Sequence, residues 1–245
     1  MNKMFDGGEN MDFLDVLVED KRFQIKDDMK IARYMSESKF VKNLDSQSIW
    51  FSNTKQFDDN HERTLDPYKL EGWNGKIVQK ISEKTASESS AFVSCWTNFE
   101  KGENAALWKI FDKDSNGVCI ISTVGQLREQ LEKELPFKTV IGKVGYGREG
   151  YAPMLNVAEV ASNHLGIEFL KIRPYFFEEE VRAVIYSKKD KKGYAINFDW
   201  KKITNKIIIS PFTTDTQAHK LKEMINKHFN DDVLLKSKLN ESEKD

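Results

Sequence analysis

The sequence predicts an α+β fold, with a mixed or antiparallel sheet flanked by helices. Three observations carry this. Apolar runs of strand length recur along the 245 residues, among them Ala91 to Thr97, Gly117 to Ser122 and Lys206 to Ser210. Between them lie stretches with apolar residues at helical spacing, such as Leu107, Trp108 and Phe111. Their order is irregular and includes a hairpin, unlike the alternation of a doubly wound parallel sheet. No internal repeat or proline-rich linker divides the chain, so residues 29–235 are read as one domain. An acidic arm or short helix at 1–28 precedes it, and a disordered tail at 236–245 follows.

The opening reads strand, helix, strand: Lys30 to Met35, Glu37 to Leu44 started by Ser36 or Ser38, and Ser48 to Ser52. A polar loop from Asn53 to Glu62 leads to a helix from Trp73 to Lys84, where Ile77, Val78 and Ile81 keep helical spacing. The strand Ala91 to Thr97 follows. A helix from Glu103 to Phe111 and the turn Asp112 to Asn116 then lead into the strand Gly117 to Ser122. Next come a helix from Val124 to Lys133, a strand from Lys138 to Tyr146 and a helix from Leu155 to Leu170. Glu180 to Tyr186 and Tyr194 to Phe198 form a hairpin around Ser187 to Gly193, and Lys206 to Ser210 precedes a closing helix from Asp215 to Phe229.

A hydrophobic content of 39% supplies a sizeable core. With 38 Lys and Arg against 39 Asp and Glu, the formal charge of -1 gives no global attraction for nucleic acid, membrane or acidic substrate. The longest apolar stretches, such as Val118 to Ile121, are far too short to span a bilayer, and the polar N-terminus lacks a signal-peptide core. A cytoplasmic protein with no membrane attachment is expected. Cys95 and Cys119 sit in strand-like runs and read as buried free thiols. Neither they nor the four histidines show metal-ligand spacing, so no metal is expected.

Four local motifs bear on chemistry. Gly145-Tyr-Gly147-Arg-Glu-Gly150 matches a dinucleotide-binding glycine pattern. Tyr151, Ala152 and Pro153 separate it from any helix, so it reads as a flexible loop. Asp112-Lys-Asp114-Ser-Asn116-Gly117 copies the first half of a calcium loop but has Thr123 at the twelfth position, and reads as a tight turn. Lys188 to Lys192 places four lysines at a hairpin tip, either a solvated turn or a contact for a polyanion. Most informative is the run Tyr175 to Arg182. On a strand, Glu178 and Glu180 share one face, and two such carboxylates repel unless something cationic or sugar-like lies between them. The pair is either a site for an oxocarbenium-like transition state or a solvent-facing edge whose glutamates pair with Arg182 and neighbouring lysines.

Several segments taken in order resemble a known family. Trp50-Phe51-Ser52 with Phe57-Asp58-Asp59-Asn60-His61-Glu62, Ser94-Cys95-Trp96, Leu107-Trp108 with Gly117 to Ile120, Lys143 to Tyr146, and Lys171 with Tyr175 to Arg182 resemble the motifs of the prokaryotic domain of unknown function 2971. The likeness covers residues 30 to 225 and departs at Asp58, Asn60, His61, Phe111 and Tyr175. The layout also resembles that of ADP-ribosyltransferases whose motifs read Arg, then Ser, then Glu-x-Glu. The resemblance implies an ADP-ribosyltransferase-like split sheet and NAD as substrate. It assigns the NAD phosphates to Arg33, a bracing role to Ser94 or Thr97, and the nicotinamide ribose 2′-hydroxyl to Glu180. Glu178 would orient the acceptor. Tyr34, Trp96 or Trp108 would stack on nicotinamide, although Trp108 is better read as a packing residue.

The expectation is therefore an NAD-dependent ADP-ribosyltransferase with catalytic Glu180 and Glu178 and with Arg33, Tyr34, Ser94, Trp96 and Thr97 toward the cofactor. The acceptor is macromolecular, with RNA or DNA favoured over protein. By analogy the enzyme is a bacterial toxin or antiphage effector held by an antitoxin protein. The alternative is a non-catalytic nucleotide-sensing or interaction module of the same fold.

Overall fold

The computed structural model describes residues 25–57, 90–135, 139–147, 167–187 and 191–240. Most of the arm at 1–28, the helix expected from Trp73 to Lys84, nearly all of that from Leu155 to Leu170, and the lysines at 188 and 189 lie outside them. The α+β class holds: eleven strands and five α-helices are described. The chain forms two compact units that alternate along the sequence. The first takes Met1–Ile25, Trp50–Cys95 and Leu135–Ile196, and the second Lys26–Ile49, Trp96–Glu134 and Asn197–Asp245. Among the described residues no helix is long and apolar enough to cross a membrane.

In the second unit, β1 (Lys30–Met35) runs antiparallel to β4 (Val118–Thr123), with Ala32 opposite Ile121 and Tyr34 opposite Cys119. On its other side it meets the end of β3 (Ser90–Asn98), with Ala32 opposite Thr97. β10 (Lys206–Ile209) extends the sheet antiparallel to β4, and β11 (Leu234–Leu235) lies parallel to β10. This register puts Ala32, Tyr34, Cys119, Ile121 and Ile208 on one face, where Leu107 and Trp108 of α2 (Ala105–Phe111) cover them. The side chain of Asn104 starts α2 by accepting from the N–H groups of Ala106 and Leu107, and its own N–H donates to Tyr34 Oη at 3.0 Å. Trp108 is fully buried. It meets Tyr34 edge-on at 4.9 Å and donates its indole N–H to Glu103.

The remaining helices of this unit are α1 (Glu37–Ser46), α3 (Val124–Glu134), the four-residue α4 (Trp200–Ile203) and α5 (Asp215–Asn226). Phe40 of α1 stacks on Phe229. α4 does not appear in the sequence reading because one turn is too short to show periodicity; Asp199 caps it by accepting from the N–H groups of Lys201 and Lys202. Residues Lys238–Asn240, placed in a disordered tail by the sequence reading, form a 3-10 turn, and Glu103 accepts from the Lys238 N–H at 2.7 Å.

In the first unit, β2 (Ser48–Asn53) pairs antiparallel with β3, with Ser52 opposite Val93, and β9 (Gly193–Asn197) adds to β2. β8 (Glu180–Ser187) pairs with β3 and with β5 (Val140–Lys143), so it is an interior strand. Its residues are buried on both faces, as the unbroken run from Val181 to Ile185 requires. Ala91, Val93, Val140, Phe169 and Val184 form the core. Gly193 has to be glycine, because a Cβ there would stand 2.3 Å from the Trp50 ring and 2.5 Å from the Phe51 carbonyl oxygen.

The strand expected from Lys138 to Tyr146 divides after Lys143, although the Val144 N–H continues the β5–β8 register to the Glu180 carbonyl oxygen at 2.9 Å. The chain resumes as β6 (Gly145–Gly147), parallel to β7 (Leu170–Ile172), and a 3-10 turn, Arg173–Glu178, links β7 to β8.

Replacing Trp108 by Ala removes a fully enclosed indole, and a loss of about 3–5 kcal/mol is expected. Chemical denaturation with two probes measures it.

Candidate functional site

Glu180 begins β8, and Arg182 follows it on the same face of the strand. Arg182 donates to Glu180 Oε2 from Nε at 2.9 Å and from Nη2 at 2.5 Å, and donates Nη1 to the Glu168 carbonyl oxygen. Its guanidinium lies 5.7 Å from the centre of the Phe57 ring. Arg182 is only 1% exposed and Glu180 9%. A cation buried this far persists only when paired and hydrogen-bonded, and Glu180 meets that demand.

Glu178 arrives by a different route from the one its spacing suggests. It ends the 3-10 turn, and Glu179 takes a left-handed backbone with φ of 41°, so the even spacing of a strand does not join Glu178 to Glu180. That expectation is corrected, as is the solvent-facing edge. The two carboxylates nevertheless meet at one cation. Lys171 Nζ lies 2.6 Å from Glu178 Oε2 and 3.8 Å from Glu180 Oε2, buried beneath Tyr175 at 4.4 Å from the ring centre. Tyr146, opposite Lys171 in the β6–β7 pair, accepts the Glu180 N–H at its Oη at 2.8 Å, and its ring meets Phe176 edge-on. Phe176 is 56% exposed.

Burial raises the Glu178 carboxyl above its ordinary value of 4.5, and the bond to Lys171 opposes this without cancelling it. Burial likewise raises the Tyr146 phenol, so it stays protonated at neutral pH.

Arg33 belongs to the second unit. Its guanidinium stands 5.6 Å from the Trp96 ring centre and 5.9 Å from that of Trp200, and these two rings stack at 6.3 Å. The Trp96 indole N–H is buried with no hydrogen-bond partner among the described residues. Thr97, opposite Ala32, faces away from Arg33, and Tyr34 packs its ring into the core against Trp108. Ser94 is buried within β3 and belongs to the first unit with Glu178 and Glu180.

The first unit therefore assembles Glu178 and Glu180 with two groups outside the expected site, Lys171 and Tyr146. Lys171 lies between Leu170 and Ile172 with Arg173 and Glu168 close by, so nothing in the local sequence marks it as buried.

The Asp112 turn forms as read. Asp112 Oδ1 accepts from the N–H groups of Asn116 and Gly117, at 2.9 and 2.7 Å. Among the described residues no three His, Cys, Asp or Glu gather as a metal site. A concavity of about 730 Å³ in the second unit is lined by Glu37, Lys42, Asp45 and Asp114 among others, and by none of the residues assigned above. Among the described residues the hairpin expected around Ser187 to Gly193 does not form, because β8 pairs with β3 and β5 while β9 pairs with β2; Asn53 holds the carbonyl oxygens of Lys191 and Lys192 through its side-chain amide and its backbone N–H. Comparison of the chain with family models, curated proteins and solved structures gives no match.

Two outcomes are expected. Arg182→Met leaves Glu180 buried without its main partner and costs about 3–5 kcal/mol in denaturant unfolding. Glu178 binds its proton more tightly folded than unfolded, so its stabilising contribution is complete below about pH 4.5 and is lost as pH rises through the raised folded value. Unfolding free energies of the wild type and Glu178→Gln, measured across that window, should show the decline only in the wild type.

Proposed function

We propose that this protein is an NAD-dependent ADP-ribosyltransferase with Glu180 as its catalytic carboxylate. The observation that carries the reading is the position of Glu180: a carboxylate fixed at the start of an interior strand, with a second carboxylate brought to the same lysine. The contacts on Glu180 converge on Oε2, so Oε1 is the oxygen assigned to the nicotinamide ribose 2′-hydroxyl. Such a fixed negative charge stabilises the cation that develops as the bond from C1′ to the nicotinamide nitrogen breaks, because it needs no reorganisation during the reaction.

Nicotinamide leaves with the bonding electron pair, the acceptor's nucleophile forms the new bond to C1′, and its proton passes to Glu178. A carboxyl whose affinity for protons is raised by burial suits that role. Arg33, in the second unit, has a planar fork set against two indoles, a donor geometry that suits a phosphate group. The acceptor is proposed to be a macromolecule, with nucleic acid favoured by the lysines between β8 and β9, and the setting a toxin or antiphage effector.

One observation favours the second reading, a nucleotide-binding module without turnover: Glu180 is already paired with Arg182, as a purely structural carboxylate is.

The test follows nicotinamide release and label transfer from NAD with RNA, DNA and protein acceptors. Glu180→Gln should lower the rate by about 10²–10³ while near-ultraviolet circular dichroism stays native. Free ADP-ribose in place of labelled acceptor marks water as the acceptor. No release with any acceptor, together with a melting temperature unmoved by NAD, rejects the enzyme and the nucleotide module alike.

A further inference from the structure

Lys171 is placed where two carboxylates compete for one ammonium. It makes a short contact with Glu178 at 2.6 Å and a longer one with Glu180 at 3.8 Å. Arg182 has no comparable freedom, since Nε and Nη2 both bind Glu180 Oε2 while Nη1 is fixed on the Glu168 carbonyl. Three elements, β7, the 3-10 turn and β8, thus share one mobile charge on a flexible four-carbon stem.

We propose that Lys171 is a positioning residue that sets the strength of Glu180: while it is bound to Glu178 its ammonium is held off Glu180, and when Glu178 loses its charge the ammonium moves onto Glu180. The proposal rests on the assignment of Glu180 as the catalytic carboxylate. Among the described residues the groups set against this pair include Glu180 and Arg182 from β8, Tyr146 from β6 and Tyr175 from the turn. Burial keeps Tyr146 protonated, and Arg182 stays bonded to Glu180 throughout, so the ammonium is the charge that can be redistributed. With the ammonium on Glu180 as well as Arg182, that carboxylate has two cations to satisfy and stabilises a developing ribosyl cation less. Activity is therefore expected to fall as Glu178 takes up a proton, and Lys171 transmits the effect.

The experiment measures nicotinamide release from NAD across pH in the wild type, Lys171→Met, Lys171→Arg and Glu178→Gln. It also follows carboxyl-carbon NMR titrations of Glu178 in the wild type and the two Lys171 variants. In Lys171→Met the Glu178 midpoint should move up by at least about one pH unit, while the fall in kcat on protonation of Glu178 becomes smaller because no ammonium is left to move onto Glu180, with KM for NAD little changed. Lys171→Arg, which keeps a charge there, should recover most of that shift. Glu178→Gln should lower kcat and remove the Glu178-dependent part of the acid limb.

A Glu178 midpoint unmoved by Lys171→Met overturns the proposal whether or not the wild type turns over NAD. If Lys171→Met does not fold, Glu178→Gln decides: an unchanged kcat and acid limb overturn the proposal. A moved midpoint without nicotinamide release from any variant overturns the catalytic reading instead, while the pairing of Lys171 with Glu178 stands.

Discussion

A guanidinium shut away from solvent dictates much of what surrounds it, and Arg182 is such a group. Its charge is matched by Glu180 two residues earlier on the same strand, its remaining N–H is directed to a backbone carbonyl, and an aromatic ring lies against it. Because both ends of the pair sit on β8, the pairing fixes the start of the strand and the side toward which Glu180 faces. A second carboxylate brought close to Glu180 then needs a cation of its own, and Lys171 from β7 supplies it. The parallel β6–β7 pair is short, with three residues in each strand, and a 3-10 turn follows it. Their role is to deliver Tyr146, Lys171 and Glu178 to that charge.

The extended elements were legible in the sequence where apolar residues ran unbroken. β4 and β10 fall close to their expected positions because Val118 to Ile121 and Ile207 to Ile209 are unbroken apolar runs, and β1 and β8 do so although Arg33 and Arg182 interrupt theirs. What escaped were elements set by a single backbone choice. After Val144 the chain changes partner from β8 to β7, which divides one expected strand, and Pro174 opens a 3-10 turn where no periodicity exists to be read. The left-handed Glu179 matters most, because parity along a strand cannot survive such a residue. The two glutamates meet through tertiary structure, at a lysine seven positions before the first of them. Glu180 stood out in the sequence because carboxylates clustered beside an arginine are conspicuous. Lys171 did not, since its partners are fixed only by the fold.

β1 shows how one strand divides its labour. Tyr34 and Ala32 face a core closed by Trp108, where the Tyr34 phenol and the Cys119 thiol are both pushed up by burial and so remain neutral. Arg33, between them in sequence, faces the other way onto two indoles. Alternation alone therefore sets a neutral hydrogen-bonded interior on one side and a fixed cation on the other.

The interleaving of the two units along the chain has a consequence for synthesis. A ribosome that has delivered residues up to Glu134 has made β1 and β4, but β10, which pairs with Cys119 and Ile120 along the far side of β4, is still about seventy residues away. Until it emerges, an apolar strand presents an unpaired edge, the kind of surface that invites pairing with another nascent chain. The first unit faces a similar delay, since β8 joins β3 after a comparable wait. Such a chain gains from an early binding partner, or from rapid translation of the stretch between Glu134 and β10, in a way that a protein built from consecutive domains does not.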